Sequence, residues 1–269
     1  MAQFVLSAFG DEISPRLDEQ VQVLKANDIH YLECRGVEGQ VIIDYSLPQV
    51  EEIYRKLNDG GIAVSAVGSP IGKVFIGEDF SPHLERFKKT IAVAHALHTP
   101  YIRMFSFYLP PDEPPAAYRQ AVMDRWSKFI EAARGAEVVL LHENEHAIYG
   151  ETAARCLDLL DSLACPYVKA TFDPANFILD GEETYPYAFN LLRKYIAYLH
   201  IKDAVRKERL IVPAGQGDGR LTEILAALKQ SHFTGFLSIE PHLNDNLPGG
   251  GPGRFAIAAN ALKALLTKI

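Results

Sequence analysis

The chain has 269 residues, of which 48% are hydrophobic, enough for one large core or two small ones. Its 27 Lys and Arg against 34 Asp and Glu leave a net charge of −7, spread without acidic or basic blocks. That balance argues against nucleic acid or an anionic membrane as the main partner and leaves a small molecule as the expected one.

The N-terminus runs at once into strand-like sequence, Phe4 to Phe9, with no basic leader and no long apolar segment. A cytoplasmic, non-membrane protein is therefore expected. Cys34, Cys156 and Cys165 are odd in number and lack CxxC spacing, so they are expected as free thiols.

After Gly10-Asp11-Glu12-Ile13, Ser14 and Pro15 open a helix carrying Leu17, Val21 and Leu24 at helical spacing. Strand two, Ile29 to Arg35, points Glu33 and Arg35 the same way. Ser46 caps the next helix, which stops at Asn58-Asp59-Gly60-Gly61. Strand three, Ile62 to Val67, leads into Gly68-Ser69-Pro70-Ile71-Gly72-Lys73, and Ser81-Pro82 starts a helix with Phe87, Ile91, Ala94 and Leu97 on one face. Strand four, Tyr101 to Phe107, carries Arg103 in an apolar run. The proline-rich 110–115 segment forbids helix before a long helix around Met123, Trp126 and Ile130.

Strand five is the apolar run Glu137 to Leu141, which breaks into His142-Glu143-Asn144-Glu145-His146; Tyr149 to Thr152 then leads into a helix with Leu157 and Leu160. Strands six, Val168 to Asp173, seven, Ile196 to Ile201, and eight, Gly235 to Glu240, follow before an amphipathic helix over Phe255 to Leu266. Eight strands alternating with helices predict parallel strands joined by right-handed crossovers, and hence a single closed (β/α)8 TIM barrel over 1–269. An open doubly wound sheet is the alternative, but the phosphate-binding glycine fingerprint is missing after strand one.

Strands five to eight each finish on an ionisable group: Glu143, Asp173, His200 and Glu240. Functional side chains of a parallel barrel sit at strand C-termini, so neighbouring strands about 4.8 Å apart would bring the four together. Singly, such an acid is more often a cap or an ion pair than a ligand. Three uncompensated carboxylates in one place raise one another's pKa, and a cation keeps them ionised. Three oxygens and a nitrogen suit one divalent ion, Mn²⁺ foremost, with Mg²⁺, Co²⁺ or Zn²⁺ as alternatives.

Glu143-Asn144, Asp173-Pro174-Ala175-Asn176, Leu199-His200-Ile201-Lys202-Asp203, Pro213 to Gly219 and Ile239-Glu240-Pro241 together resemble the sugar phosphate isomerase/epimerase group of xylose isomerase-like TIM barrels, over nearly the whole chain. The resemblance implies that Glu143, Asp173, His200 and Glu240 hold Mn²⁺ or a similar ion, and that Glu143 and Glu240 also move the substrate proton. It places Arg206, six residues after the histidine, against substrate. Asn176 stands where relatives often carry histidine, and is expected at the substrate. Tyr149 stands where the ketose 3-epimerases carry a second glutamate.

Other candidates keep two readings. Glu33 could bind a sugar hydroxyl or pair with Arg35 or Arg103; Lys202 could contact a carbonyl or phosphate oxygen or pair with Asp203 or Glu12. His242 shares the face of Glu240 and is a candidate substrate contact. Glu145 and His146 could face the mouth, whereas His142 and Asn144 alternate away from Glu143 and should orient the surroundings. The Gly215-Gln216-Gly217 loop is either a phosphate site or a solvent turn. The expected function is metal-dependent isomerisation or epimerisation of a ketose or sugar phosphate through an enediolate. Dehydration of a keto-inositol or 3-dehydroshikimate-like substrate is the alternative. An endonuclease IV-like hydrolase and a non-catalytic sugar-binding barrel rank lower, and a homo-oligomer stays open.

Overall fold

The computed structural model describes residues 2–269. Its eight barrel strands are β1 (Gln3–Phe9), β2 (Tyr31–Cys34), β3 (Ala63–Gly68), β4 (Tyr101–Met104), β5 (Val139–Glu143), β6 (Val168–Phe172), β7 (Ile196–Ile201) and β8 (Thr234–Ile239). They close in chain order, β8 pairing with β1, and every barrel pair is parallel. Parallel neighbours need a crossover, and helices supply it: α1 (Leu17–Ala26), α2 (Leu47–Asp59), α3 (Phe80–Ala96), α4 (Arg119–Ala133), α5 (Ala153–Leu163), the short pair α6 (Pro174–Leu179) and α7 (Phe189–Leu192), and α8 (Leu221–Gln230), before the closing helix α9 (Gly250–Leu266). No helix among the described residues is long and apolar enough to cross a membrane. All three cysteines are free.

Strand positions follow the hydrophobic runs, and the departures have local causes. The apolar run of β4 ends at Met104 because Phe105 N turns to donate to the carbonyl of Ile71 and Phe107 takes a positive φ of 69°. Strand β5 starts and ends two residues later than its apolar run, since Glu137 is itself in a left-handed turn. Asp79, not Ser81, caps α3, its carboxylate accepting from Ser81 N at 3.0 Å. Ser14 accepts from Arg16 N at 3.2 Å and donates to Glu19, and the helix starts only at Leu17. The closing helix begins at Gly250, five residues before the amphipathic run, because Pro252 is tolerated in a first turn.

Alternation along the strands fills the barrel interior in layers. The lower layer is aromatic: Tyr101, Tyr198 and Phe236 have ring centroids 5.6–6.2 Å apart, with Leu141 beside them. Above it the Tyr198 hydroxyl meets Ser65 Oγ at 2.8 Å, and Ser65 meets Ser7 at 2.6 Å, so the phenol is buried with a partner. The next positions up the faces of Tyr101, Leu141 and Tyr198 are the ionisable Arg103, Glu143 and His200. Burying such groups costs free energy unless each is matched, so the top layer has to be a network.

Candidate metal centre

Four residues at the ends of β5 to β8 supply the core of that network. Glu143, Asp173, His200 and Glu240 are all buried, and one donor atom of each lies within 4.8 Å of all the others. His200 Nδ1 is 2.9 Å from Glu143 Oε1 and 3.9 Å from both Asp173 Oδ2 and Glu240 Oε2. Metal–ligand arms of about 2.0–2.2 Å around a single ion leave donors about 3–4 Å apart, so the set fits one ion.

Asp173 divides its two oxygens. Oδ1 caps α6 by accepting from Asn176 N at 3.0 Å, while Oδ2 is buried without a well-aligned hydrogen bond. The Lys202 ammonium lies 2.7 Å from that oxygen, off the direction a hydrogen bond needs. Burial pushes the Asp173 carboxyl up to about 6 against the pull of Lys202, with Glu143 and Glu240 adding to the rise. Three carboxylates and one imidazole nitrogen gathered in one buried place suit a cation, and the four residues can hold a divalent ion.

The position of Asp173 is fixed from β5. Asn144 Nδ2 donates to the Asp173 carbonyl and Asn144 Oδ1 accepts from Asp173 N, both at 2.9 Å. Asn144 thus orients its neighbour, as its alternation predicts. His142 lies in the helix layer, with Nε2 2.9 Å from Ser106 Oγ and its ring edge-on to Trp126.

Basic side chains hold the glutamates. Arg103 Nη1 donates to Glu143 Oε2 at 2.7 Å, and Lys202 Nζ donates to Glu240 Oε2 at 2.8 Å. Arg35 reaches Asp11 at 2.7 Å, Glu12 at 2.6 Å and Glu240 at 3.1 Å. Burial opposes ionisation of Glu143, but the charges of His200 and Arg103 outweigh it and hold the carboxyl low. Glu240 is likewise held well below the usual range, Lys202 and His200 overcoming its burial. Lys202 therefore pairs with Asp173 and Glu240, not with Asp203 or Glu12.

These groups face a cavity of about 340 Å³ at the C-terminal end of the strands. Of the quartet only Glu143 and Glu240 line it, joined by Asn176, Lys202 and His242 among the residues singled out from the sequence. Asn176 Nδ2 donates to the Asn144 carbonyl at 2.9 Å and lies 3.5 Å from Glu143 Oε1. Glu145 also faces the mouth, paired at 2.7 Å with Lys73; His146 turns outward to Asp180 and Glu151.

Two expected substrate contacts lie elsewhere. Arg206 is exposed, donates to the Glu182 carbonyl at 2.5 Å and does not line the cavity, because the hairpin Asp203–Val205/Leu210–Val212 carries it away. Glu33 is fully buried and also does not line the cavity; its oxygens lie 3.2 and 3.3 Å from His200 Nε2. Tyr149 donates to Asp158 at 2.6 Å, away from the site.

The Gly215–Gly219 loop binds an anion of the chain's own. Asp203, buried, accepts from the backbone N–H of Gly215, Gly217 and Gly219 at 2.8–3.0 Å, as a phosphate would. A Cβ on Gly217 would sit 2.4 Å from Asp203 Oδ1, so the cradle is closed around that carboxylate. Lys73, Phe105 and the bridging of Arg35 were not foreseeable as cavity features. Arg103 left a signal, a charge inside an apolar strand, but not the identity of its partner.

No curated protein sequence matches this chain significantly. Solved structures do match its fold. IolI protein with a bound zinc atom is similar at 16% identity over 98% of both chains, with a TM-score of 0.79. The probable 3-DHS dehydratase AsbF of Bacillus anthracis is similar at 17% identity over 98% of this chain and 99% of that one, TM-score 0.76. The 3-keto-D-glucoside 4-epimerase YcjR of E. coli, in apo form, is similar at 16% identity over 99% and 100%, TM-score 0.72. Residues 21–265 match the family model described as xylose isomerase-like TIM barrel. With the closed eight-stranded barrel and the acids at its C-terminal mouth, the chain belongs to the xylose isomerase-like TIM barrel family.

Proposed function

We propose that this chain is a divalent-metal-dependent isomerase or epimerase that removes and returns the proton beside a carbonyl of a small carbohydrate. The observation that carries the reading is the division within the quartet: all four donors converge, yet only Glu143 and Glu240 open onto the cavity. Glu143, Asp173, His200 and Glu240 would hold the ion, Mn²⁺ foremost, which would supply Lewis acidity toward the substrate carbonyl. Glu143 and Glu240 come from β5 and β8, with two strands between them, and so approach a bound substrate from different sides. Arg103 lies 2.7 Å from Glu143 and Lys202 2.8 Å from Glu240, and these cations favour the ionised carboxylates, the state a base needs before it takes a proton. Asn176, Lys202 and His242 line the same cavity and offer hydrogen bonds to substrate oxygens. A cavity of this size suits a single sugar unit.

One observation favours dehydration as a second reading. His242 lines the cavity, and although burial pulls its pKa down, the hydrogen bond it donates to Glu12 and the charge of Glu240 raise it. A protonated imidazole there could protonate a departing hydroxide after the same C–H cleavage. The similar structures include both an epimerase and a probable dehydratase.

Metal content by mass spectrometry, before and after chelation, tests the premise: a stoichiometric ion regained on adding Mn²⁺ is expected, and none would sink the proposal. Deuterium wash-in from D₂O across ketoses, ketose phosphates and keto-inositols then finds the substrate. A rise in ultraviolet absorbance from a conjugated enone identifies dehydration, and its absence alongside wash-in identifies epimerisation or isomerisation.

A further inference from the structure

We infer that Glu33 is a positioning residue for the metal-ligating histidine, fixing His200 so that Nδ1 faces the ion and Nε2 keeps its proton; this rests on the metal-dependent reading above. Glu33 lies one residue before the end of β2 with no exposed surface, and its two oxygens lie 3.2 and 3.3 Å from His200 Nε2. His200 is its only ion-pair partner among the described residues. Removing a carboxylate from water costs free energy, so one buried against a single imidazole has no net stabilising purpose unless it fixes something. The opposite ring nitrogen, Nδ1, is the atom that lies among Glu143, Asp173 and Glu240.

With Glu143, 2.9 Å from Nδ1, itself one of the four residues proposed to hold the ion, the surroundings outside the quartet leave this task to Glu33. Phe9 packs edge-on against the imidazole at 5.1 Å and Tyr198 at 6.0 Å; both hold the ring plane. Neither aromatic face distinguishes one tautomer from the other. An acceptor at Nε2 does, because a neutral imidazole carries one proton and a proton held at Nε2 leaves the Nδ1 lone pair free for metal. Glu33 does not line the cavity, so it acts through His200 and not on substrate.

The test compares full-length wild type with Glu33→Gln and Glu33→Ala, each stripped by chelation and titrated with Co²⁺ and Zn²⁺. Glu33→Ala should bind both ions about 10–100-fold more weakly, the usual cost of losing such a partner. Glu33→Gln keeps the volume and one acceptor and should recover most of that loss. In zinc-loaded protein, ¹⁵N spectra of labelled histidine should show a protonated Nε2 and a metal-bound Nδ1 for His200. In Glu33→Ala the Nε2 proton should exchange rapidly and the Co²⁺ absorption should shift, effects a loss of packing alone would not produce.

Wild-type affinity and spectra retained within twofold in Glu33→Ala would overturn the inference while leaving the metal reading intact. Failure of the wild type itself to bind either ion would overturn the function first. Should Glu33→Ala not fold, Glu33→Leu takes its place with the same losses expected, and wild-type affinity with an unchanged Co²⁺ spectrum in that variant overturns the inference. A ring flipped to Nε2 ligation with undiminished affinity overturns it.

Discussion

The two halves of the barrel bring opposite charges to its mouth. Strands β5 to β8 end in Glu143, Asp173, His200 and Glu240, whereas β2, the loop after β3, and β4 contribute Arg35, Lys73 and Arg103. The halves meet at two seams, and each carries an arginine–glutamate pair: Arg103 with Glu143 between β4 and β5, and Arg35 with Glu240 across the β1–β8 closure. The four side chains from consecutive strands converge because adjacent strands are adjacent in space. Arg103 reaches Glu143 from the adjacent strand, whereas Arg35 reaches Glu240 only when the barrel closes. Lys202, from the acidic half, and Glu33, from the basic half, cross this division, and both touch the quartet directly.

The sharpest break in the comparison lies within the acidic half. Glu240→Gln should lower proton exchange by about 10²- to 10⁴-fold while keeping part of the metal affinity, because an amide oxygen coordinates but carries no proton. Asp173→Asn should lose activity mainly through weaker metal binding, and excess Mn²⁺ should restore part of it. Deuterium wash-in at rising Mn²⁺ separates them; equal rescue of both variants would mean the two acids share one role.

A seam can be opened from the basic half. Arg103→Met leaves Glu143 buried without its 2.7 Å partner, and breaking a buried pair from one side costs about 3–5 kcal/mol. Urea unfolding should show this loss in chelator and a smaller one with saturating Mn²⁺, which replaces the missing charge. A loss the same in both conditions would show that the ion does not reach Glu143.

Lys202→Met should act in the opposite direction on binding. The ammonium sits 2.7–2.8 Å from Asp173 and Glu240, on oxygens a metal would use, so its removal should strengthen Co²⁺ binding, on the order of tenfold, while turnover falls. Competition calorimetry measures this, and weaker binding would show that Lys202 supports the ligands instead of competing for them.

The smallest effect is expected where the same seam reaches the surface. Asp158 on α5 accepts from Arg119 on α4 at 2.7–2.8 Å, and that hydrogen bond, ahead of the opposing burial, lowers its pKa. A carboxyl lowered on folding contributes stability above its unfolded pKa and loses it as pH falls through the folded one. With both side chains part-exposed the pair contributes about 0.2–1 kcal/mol, so Arg119→Gln should differ from wild type at pH 7 and converge with it at acid pH. Thermal melts across that range check it, and a constant difference would assign the loss to packing.

The sequence by itself determined the barrel and the quartet. Eight apolar runs at crossover spacing admit few folds, and a run that stops on an ionisable residue marks a strand's C-terminal end, so Glu143, Asp173, His200 and Glu240 are legible without coordinates. The tertiary structure alone decided who faces whom. Glu33 and His200 are 167 positions apart and Arg35 and Glu240 are 205, so no local pattern could pair them. The glycine loop read as a phosphate site or a turn, and only the placement of Asp203 inside it decided the matter. Arg206 kept its offset from His200 yet turned outward with its hairpin. Periodicity records which side of an element meets the core, a local property. The partner of a buried charge depends on the path of the whole chain, and it was written into no single stretch.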